Sequence, residues 1–344
     1  MYAVPVRRAC LRLLVIGGVW MCAGLVGAPS PNPQVWPDIA GRIGPYGGVL
    51  TVDDAKRLAA DGLTLTVLSS TAPEILAALR DGGAKYIDLS FWGQISQRCK
   101  PQFERQTASH QALKCTLSPS DHTSIIQAAA AYLKRVEADS GLVAFWILDD
   151  YPHGDISATL NALHDLVKQS NASSGFQRAT ICGIGGSLDA KHSADDRRFT
   201  PNRGYMDQSL INVSPAACDL VSPYFYGTAL EDDSRLIDWS MENLMPSFLE
   251  KLRAKGFDTD APLLLPISHA FSYKAPNGTV YVMPSPDDVA RQMRAYCDAG
   301  AFSLLFFTWQ SHDADRSYSN DQSIRTGVQK GRAECLARWS HVPQ

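Results

Sequence analysis

Apolar residues run along this chain in two rhythms. Short runs without polar interruption, such as Leu142-Val-Ala-Phe-Trp-Ile-Leu148, are what strands buried on both faces require. Between them lie longer segments with helical spacing of apolar positions. The run ending at Leu148 is followed at once by Asp149, Asp150, Tyr151 and Pro152. Such a strand cannot keep two adjacent carboxylates inside, so these acids mark its end.

The pattern predicts strands over 42–48, 63–70, 85–92, 142–152, 178–186, 218–227, 261–271 and 302–310. Helices are predicted over 51–62, 72–80, 121–140, 156–170, 232–256, 284–300 and 320–339. Several helix ends carry their own signals: Thr51 with acids in the first turn and Gly62 at the stop, or Ser285-Pro286-Asp287-Asp288 opening a late helix. Along 85–92, Asp88, Ser90 and Trp92 alternate with Ile87, Leu89 and Phe91, so the polar set is predicted to point inward near the mouth. Residues 93–118, bracketed by Cys99 and Cys115, read as an irregular stapled loop, and 187–217 as a second long loop. Apolar strands alternating with amphipathic helices indicate an α/β protein with a parallel sheet. Eight such units fit a single-domain (β/α)8 TIM barrel over 42–344. A dinucleotide-binding sheet is disfavoured, because Gly183-Ile-Gly-Gly186 has the wrong glycine spacing.

Composition adds the compartment. Residues 1–28 read as a signal peptide: Arg7, Arg8 and Arg12 precede a mostly apolar stretch that ends in Val26-Gly27-Ala28. A Pro-rich connector, 29–41, follows. Cleavage would take the formal charge from −3 to −6, three arginines leaving with the leader. A secreted or periplasmic protein is expected, with no stable membrane association after cleavage and no nucleic-acid partner, since no basic run is present. Eight cysteines occur, and the six beyond the leader form an even set without C-x-x-C spacing, favouring disulfides over zinc. The pairing expected is Cys99–Cys115, Cys182–Cys218 and Cys297–Cys335. Asn171, Asn212 and Asn277 begin glycosylation sequons.

Candidate chemistry concentrates at strand ends, which in a parallel barrel form the active-site face. Neighbouring residues on a strand point to opposite sides, so one of Asp149 and Asp150 faces the pocket. Asp150 is expected as general acid or base, with Asp149 as its support. Tyr46, Trp92, Tyr224, Tyr226 and Trp309 end strands and, with His269, are expected to line the mouth and contact a ligand there. His269 and His312-Asp313 are isolated, so no metal and no cofactor are expected. No Gly-x-Ser-x-Gly, His-Glu-x-x-His or Walker motif is present.

Trp146-Ile-Leu-Asp-Asp-Tyr-Pro152 resembles the end of the fourth strand in glycoside-hydrolase-type barrels, where an aromatic-rich strand finishes in Asp-Glu-Pro or Asn-Glu-Pro. Pro223-Tyr-Phe-Tyr226 and Phe307-Thr-Trp309 resemble the aromatic sugar platforms of the same superfamily. The resemblance implies a carbohydrate substrate and Asp150 as proton donor. One departure stands out: Ser268-His-Ala-Phe271 occupies the seventh strand, where the best-known retaining members carry a nucleophilic Glu. A second acid must then come from elsewhere, with Asp88 favoured over Asp189, Asp232, Asp233 and Asp313 because it lies within a strand. The reading is a secreted hydrolase cleaving a glycosidic bond by acid/base catalysis. The alternative is a catalytically inactive, carbohydrate-binding TIM barrel.

Overall fold

The computed structural model describes residues 36–69, 72–108, 115–149, 154–186, 188–189, 200–201, 210–225, 238, 240–274, 280–281, 283–310 and 315–340. The leader expected over 1–28 lies outside these residues. In chain order the elements are β1 (Ile43–Pro45), α1 (Val52–Ala60), β2 (Leu65–Leu68), α2 (Pro73–Asp81), β3 (Lys85–Asp88), α3 (Ser90–Ala108), α4 (Pro119–Arg135), β4 (Leu142–Leu148), α5 (Ser157–Ser174) and β5 (Ala179–Gly186). Then come β6 (Leu188–Asp189), β7 (Thr200–Pro201), β8 (Leu220–Phe225), α6 (Met245–Ala254), β9 (Ile267–His269), β10 (Tyr273–Lys274), β11 (Val280–Tyr281), α7 (Pro286–Asp298), β12 (Leu304–Phe307) and α8 (Gln322–Trp339).

Two parallel sheets carry the architecture. Five strands in the order β2-β3-β4-β5-β8 curl into a half-barrel, and three in the order β1-β12-β9 form the other sheet. Single parallel bridges tie their edges: Tyr46 pairs with Val67, and Val221 pairs with Leu264. Thr64 N donates to Ile43 O at 3.0 Å on one side, and Leu265 N donates to Val221 O at 3.1 Å on the other. The small antiparallel pairs β6–β7 and β10–β11 stand apart.

Each main strand is buried on both faces, which explains the uninterrupted apolar runs. Val67, Ile87, Ala144, Trp146, Ile181 and Leu305 share one cluster that draws on both sheets and is joined by Trp36 and Ile39 ahead of β1. Phe145, Ile147, Val221 and Phe306 point the other way and meet the apolar stripes of the helices, for example Leu58 of α1, Leu163 of α5 and Met293 of α7. Capping agrees with the sequence signals at α1 and α7, and the structure adds a cap at α4. Thr51 and Asp54 form a reciprocal capping box at α1, Ser118 and Asp121 another at α4, and Ser285 caps α7 ahead of Pro286. Among the described residues no helix is long and apolar enough to cross a membrane.

Three expectations are corrected. The third strand stops at Asp88 rather than running to 92, because the Asp88 Oδ1 accepts the Ser90 amide at 2.6 Å and the chain turns into α3. The first part of the predicted loop 93–118 is therefore helix, despite Gly93 and Pro101, two residues that read as breakers. The strand expected over 261–271 is regular only over Ile267–His269, since Pro262 and Pro266 have no amide to donate to a ladder.

Disulfides join Cys99 to Cys115, Cys182 to Cys218 and Cys297 to Cys335, with Cα separations of 5.2, 5.7 and 5.8 Å. This is the expected pairing. Two sequons lie in engaged positions: both amide atoms of Asn171 bond the Arg178 backbone, and Asn212 is buried against Ile156 N and Gly154 O. The Cys182–Cys218 link closes a loop of sequence separation 36 between β5 and the residues leading into β8. Replacing both cysteines by Ala is expected to cost about 3 kcal/mol, measured as a lower denaturant midpoint; an unchanged midpoint would show that the link adds nothing to stability.

Candidate functional site

Because the strands are parallel, their carboxyl ends gather on one side, and there β4 passes from Leu148 to a half-buried Asp149. Asp149 accepts on Oδ2 from the Tyr46 hydroxyl and on Oδ1 from the Tyr224 hydroxyl, the latter at 3.2 Å. Tyr46 follows β1 and Tyr224 lies on β8, so three strands converge on one carboxylate. With each oxygen accepting a phenol proton, the bonding suits an ionised, acceptor-only group.

The floor beside this carboxylate depends on Gly183 of β5. A Cβ there would lie 2.7 Å from Trp146 Cζ2 and 3.0 Å from Asp149 Oδ1, so a side chain would displace both groups. Trp146 Nε1 and the hydroxyl of Ser222, the direct partner of Gly183 on β8, are buried without a hydrogen-bond partner among the described residues. Rings extend the site across the neighbouring strands. Tyr46 meets Trp146 edge-on at 4.9 Å and Phe307 at 6.0 Å; Phe307 meets Phe271 at 5.0 Å, and Phe271 meets His269 at 4.5 Å. Asp149, Tyr46 and Phe307 are half-buried, while Trp146 and Phe271 are buried.

Of the residues singled out in the sequence, Asp149, Tyr46 and Tyr224 are brought together. His269 joins through Phe271 but is buried, with Nε2 2.8 Å from the Phe271 carbonyl, so that nitrogen holds the proton of the neutral ring. Asp150, Tyr226, Asp232, Asp233, His312 and Asp313 lie outside the described residues, and Asp189 falls in β6.

Asp88 is a correction, because it faces the helix layer while Ile87 takes the inward position. Its carboxyl is buried, accepts from the Tyr132 hydroxyl of α4 at 2.5 Å, and is pushed above the usual carboxylate range by that burial. Trp309 is another. It is fully buried, donates from Nε1 to Asp54 at 2.9 Å and stacks on Tyr318, so it packs against α1 instead of lining a mouth. Trp92 sits in the first turn of α3 rather than at a strand end, half-buried and packed against both apolar clusters. Phe307 belongs to the expected platform Phe307-Thr-Trp309, whereas Gly183 and Phe271 carry no site expectation from the sequence. A glycine at an inward strand position was the available signal for Gly183.

No family model and no curated protein sequence matches the chain. Solved structures do. A glycoside hydrolase-like protein superposes with a TM-score of 0.52 at 10% identity, covering 90% of this chain and 97% of its own. The β-galactosidase from the psychrophilic Marinomonas ef1 gives 0.53 at 9%, covering 85% of this chain and 59% of its own. The FMN-binding β-glucuronidase from Facaelibacterium prausnitzii L2-6 gives 0.50 at 11%, with 89% and 44%. The chain therefore shares the fold of these proteins and spans about half the length of the last two.

Burial lowers the His269 pKa from 6.5 to about 3. Above 6.5 the ring is neutral in both folded and unfolded chains. As pH falls below 6.5, only the unfolded chain takes up the proton, so stability is lost progressively down to about 3. His269→Gln is expected to lose less melting temperature than the wild type between pH 7 and pH 4; equal losses would show that this ring does not set the acid sensitivity.

Proposed function

We propose that the chain is a secreted, carbohydrate-active hydrolase that cleaves a glycosidic bond by acid/base catalysis at the tip of β4. The observation that carries this reading is the Asp149 carboxylate, held by two tyrosine hydroxyls from different strands and flanked by half-buried aromatic rings. The glycosidase-type fold of its structural neighbours supports it, and so does the position at strand carboxyl ends, where such barrels place their chemistry. On this reading the two sheets and their bridging strand contacts make one (β/α)8 barrel over 42–344, preceded by a cleaved leader and a connector.

In the proposed reaction, Asp150 donates a proton to the glycosidic oxygen as the bond to the anomeric carbon breaks. Asp149 supports it, since an ionised neighbour holds the proton on Asp150 until it is transferred. Water adds to the anomeric carbon, and its released proton restores Asp150. Tyr46 and Tyr224 orient Asp149, while Tyr46 and Phe307 offer ring faces to the sugar.

A second reading is a binding barrel that does not cleave. The observation favouring it is Asp88: with that carboxyl turned toward α4, no second acid joins Asp149 in the cluster among the described residues.

The test is release of reducing sugar from a broad glycan panel between pH 4 and pH 8. The wild type is expected to be active, and Asp150→Asn and Asp149→Asn to lose about 10²–10⁴-fold while remaining folded. Asp88→Asn is expected to keep activity within about threefold, since its role is packing. Glycan binding that survives all three substitutions, with no cleavage by the wild type, would leave the binding barrel instead.

A further inference from the structure

The β3–β4 connection carries two α-helices, α3 and α4, and α3 is fastened against the start of α4 with unusual thoroughness. Besides the Cys99–Cys115 disulfide, Arg98 donates to Ser124 Oγ at 2.8 Å and pairs with Asp121 at 3.6 Å, and Gln102 exchanges two hydrogen bonds with the Thr116 backbone at 2.8 and 3.0 Å. These ties hold one wall of a groove of about 710 Å³, within the size range of small-molecule sites. The other wall is α4, where Ala128, Ala131, Tyr132 and Arg135 recur at helical spacing along one side.

The lining has the chemistry of a hydroxyl-rich ligand. Half-buried Trp92 supplies aromatic surface, and the Arg135 guanidinium lies over the buried Tyr132 ring, 5.2 Å from its centroid. The side-chain amides of Gln94 and Gln97 make no hydrogen bond among the described residues, so donors and acceptors are available on the α3 wall. Ala128 and Ala131 are exposed and leave the α4 wall flat. Among the described residues the lining contains no carboxylate and one cation, Arg135, which suits neutral or acidic sugars and disfavours cationic ligands. A helical peptide would want large apolar sockets, and among the described lining residues Leu89 is the one aliphatic side chain larger than Ala.

The groove also adjoins the site at β4. Leu89 and Ser90, which line it, follow the tip of β3, the immediate neighbour of β4, and Trp92 packs against the inner cluster that contains Trp146 and Tyr224. We propose that this α3–α4 groove is a second carbohydrate-binding site, taking a short oligosaccharide segment that continues from the sugar held at Asp149. The proposal rests on the carbohydrate reading above and makes the protein's ligand a chain of several sugars rather than a single one.

The experiment measures binding of soluble glucose, galactose and N-acetylglucosamine oligosaccharides of two to six units by calorimetry. The proteins compared are the wild type, Gln94→Ala with Gln97→Ala, and Ala131→Trp, which covers the exposed α4 wall without touching the core. The wild type is expected to bind the longest member of its preferred series about tenfold tighter than the shortest. Both groove variants are expected to lose that length dependence while keeping wild-type affinity for the disaccharide. Unchanged length dependence in both variants, or none in the wild type, would overturn the groove and leave the Asp149 reading standing. Absence of any binding or cleavage across all three series would overturn both. Dimerisation of the wild type that Ala131→Trp abolishes would also overturn the proposal, by assigning the groove to a second copy of this chain.

Discussion

Burial of parallel strands on both faces is the constraint from which the rest of this structure follows. Ile87, Ala144, Trp146 and Ile181 fill the inner cluster, and Phe145 and Ile147 meet the helices, so the strands have no middle position where a polar side chain is inexpensive. Charged groups are driven to strand ends or bring partners with them, while the small hydroxyls of Thr66 and Ser222 stay buried without a partner among the described residues. Asp88 takes the second course, with the Tyr132 hydroxyl and the Ser90 amide as donors. Arg178, at the foot of β5, does the same by donating to the carbonyls of Val136, Glu137 and Asp139. Both are buried, and both tie a loop or helix to a strand.

Just past the carboxyl end of β4 the same constraint produces a carboxylate that the fold can hold still. Asp149 receives hydroxyls from residues associated with β1 and β8, which are far apart in sequence and close only because the strands are parallel and curled. Each tyrosine is itself braced, Tyr46 by Trp146 and Phe307, and Tyr224 by burial in the inner cluster. Orientation is thus set by backbone positions rather than by flexible loops, which is what electrostatic preorganisation requires. Gly183 contributes by having no side chain, since the space it leaves is occupied by the Trp146 ring and the Asp149 carboxylate.

The third connection shows how the framework is elaborated without disturbing the sheet. An added helix, α3, is anchored by a disulfide, an ion pair and side-chain bonds to the start of α4, so a surface feature gains the fixity of a core element. Stapling an insertion in this way suits a chain expected to be exported, where disulfides persist.

Much was legible in the sequence because it depends on local patterns. Uninterrupted apolar runs located the main strands, capping residues marked α1 and α7, and the even set of cysteines pointed to disulfides. Asp149 and Asp150 stood out because an apolar strand has to end where two acids begin. The sequence could not decide which way a residue faces when a strand ends early: Asp88 and Trp92 shared an alternating pattern, yet a single amide bond from Ser90 turned the chain into a helix and left Asp88 behind the sheet. Nor could it show that Trp309 has its indole claimed by Asp54, 255 residues away. Strand ends and acids are local facts, written in composition and period. The partner of a carboxylate is a long-range fact, decided only when curled parallel strands bring Tyr46 and Tyr224 to Asp149.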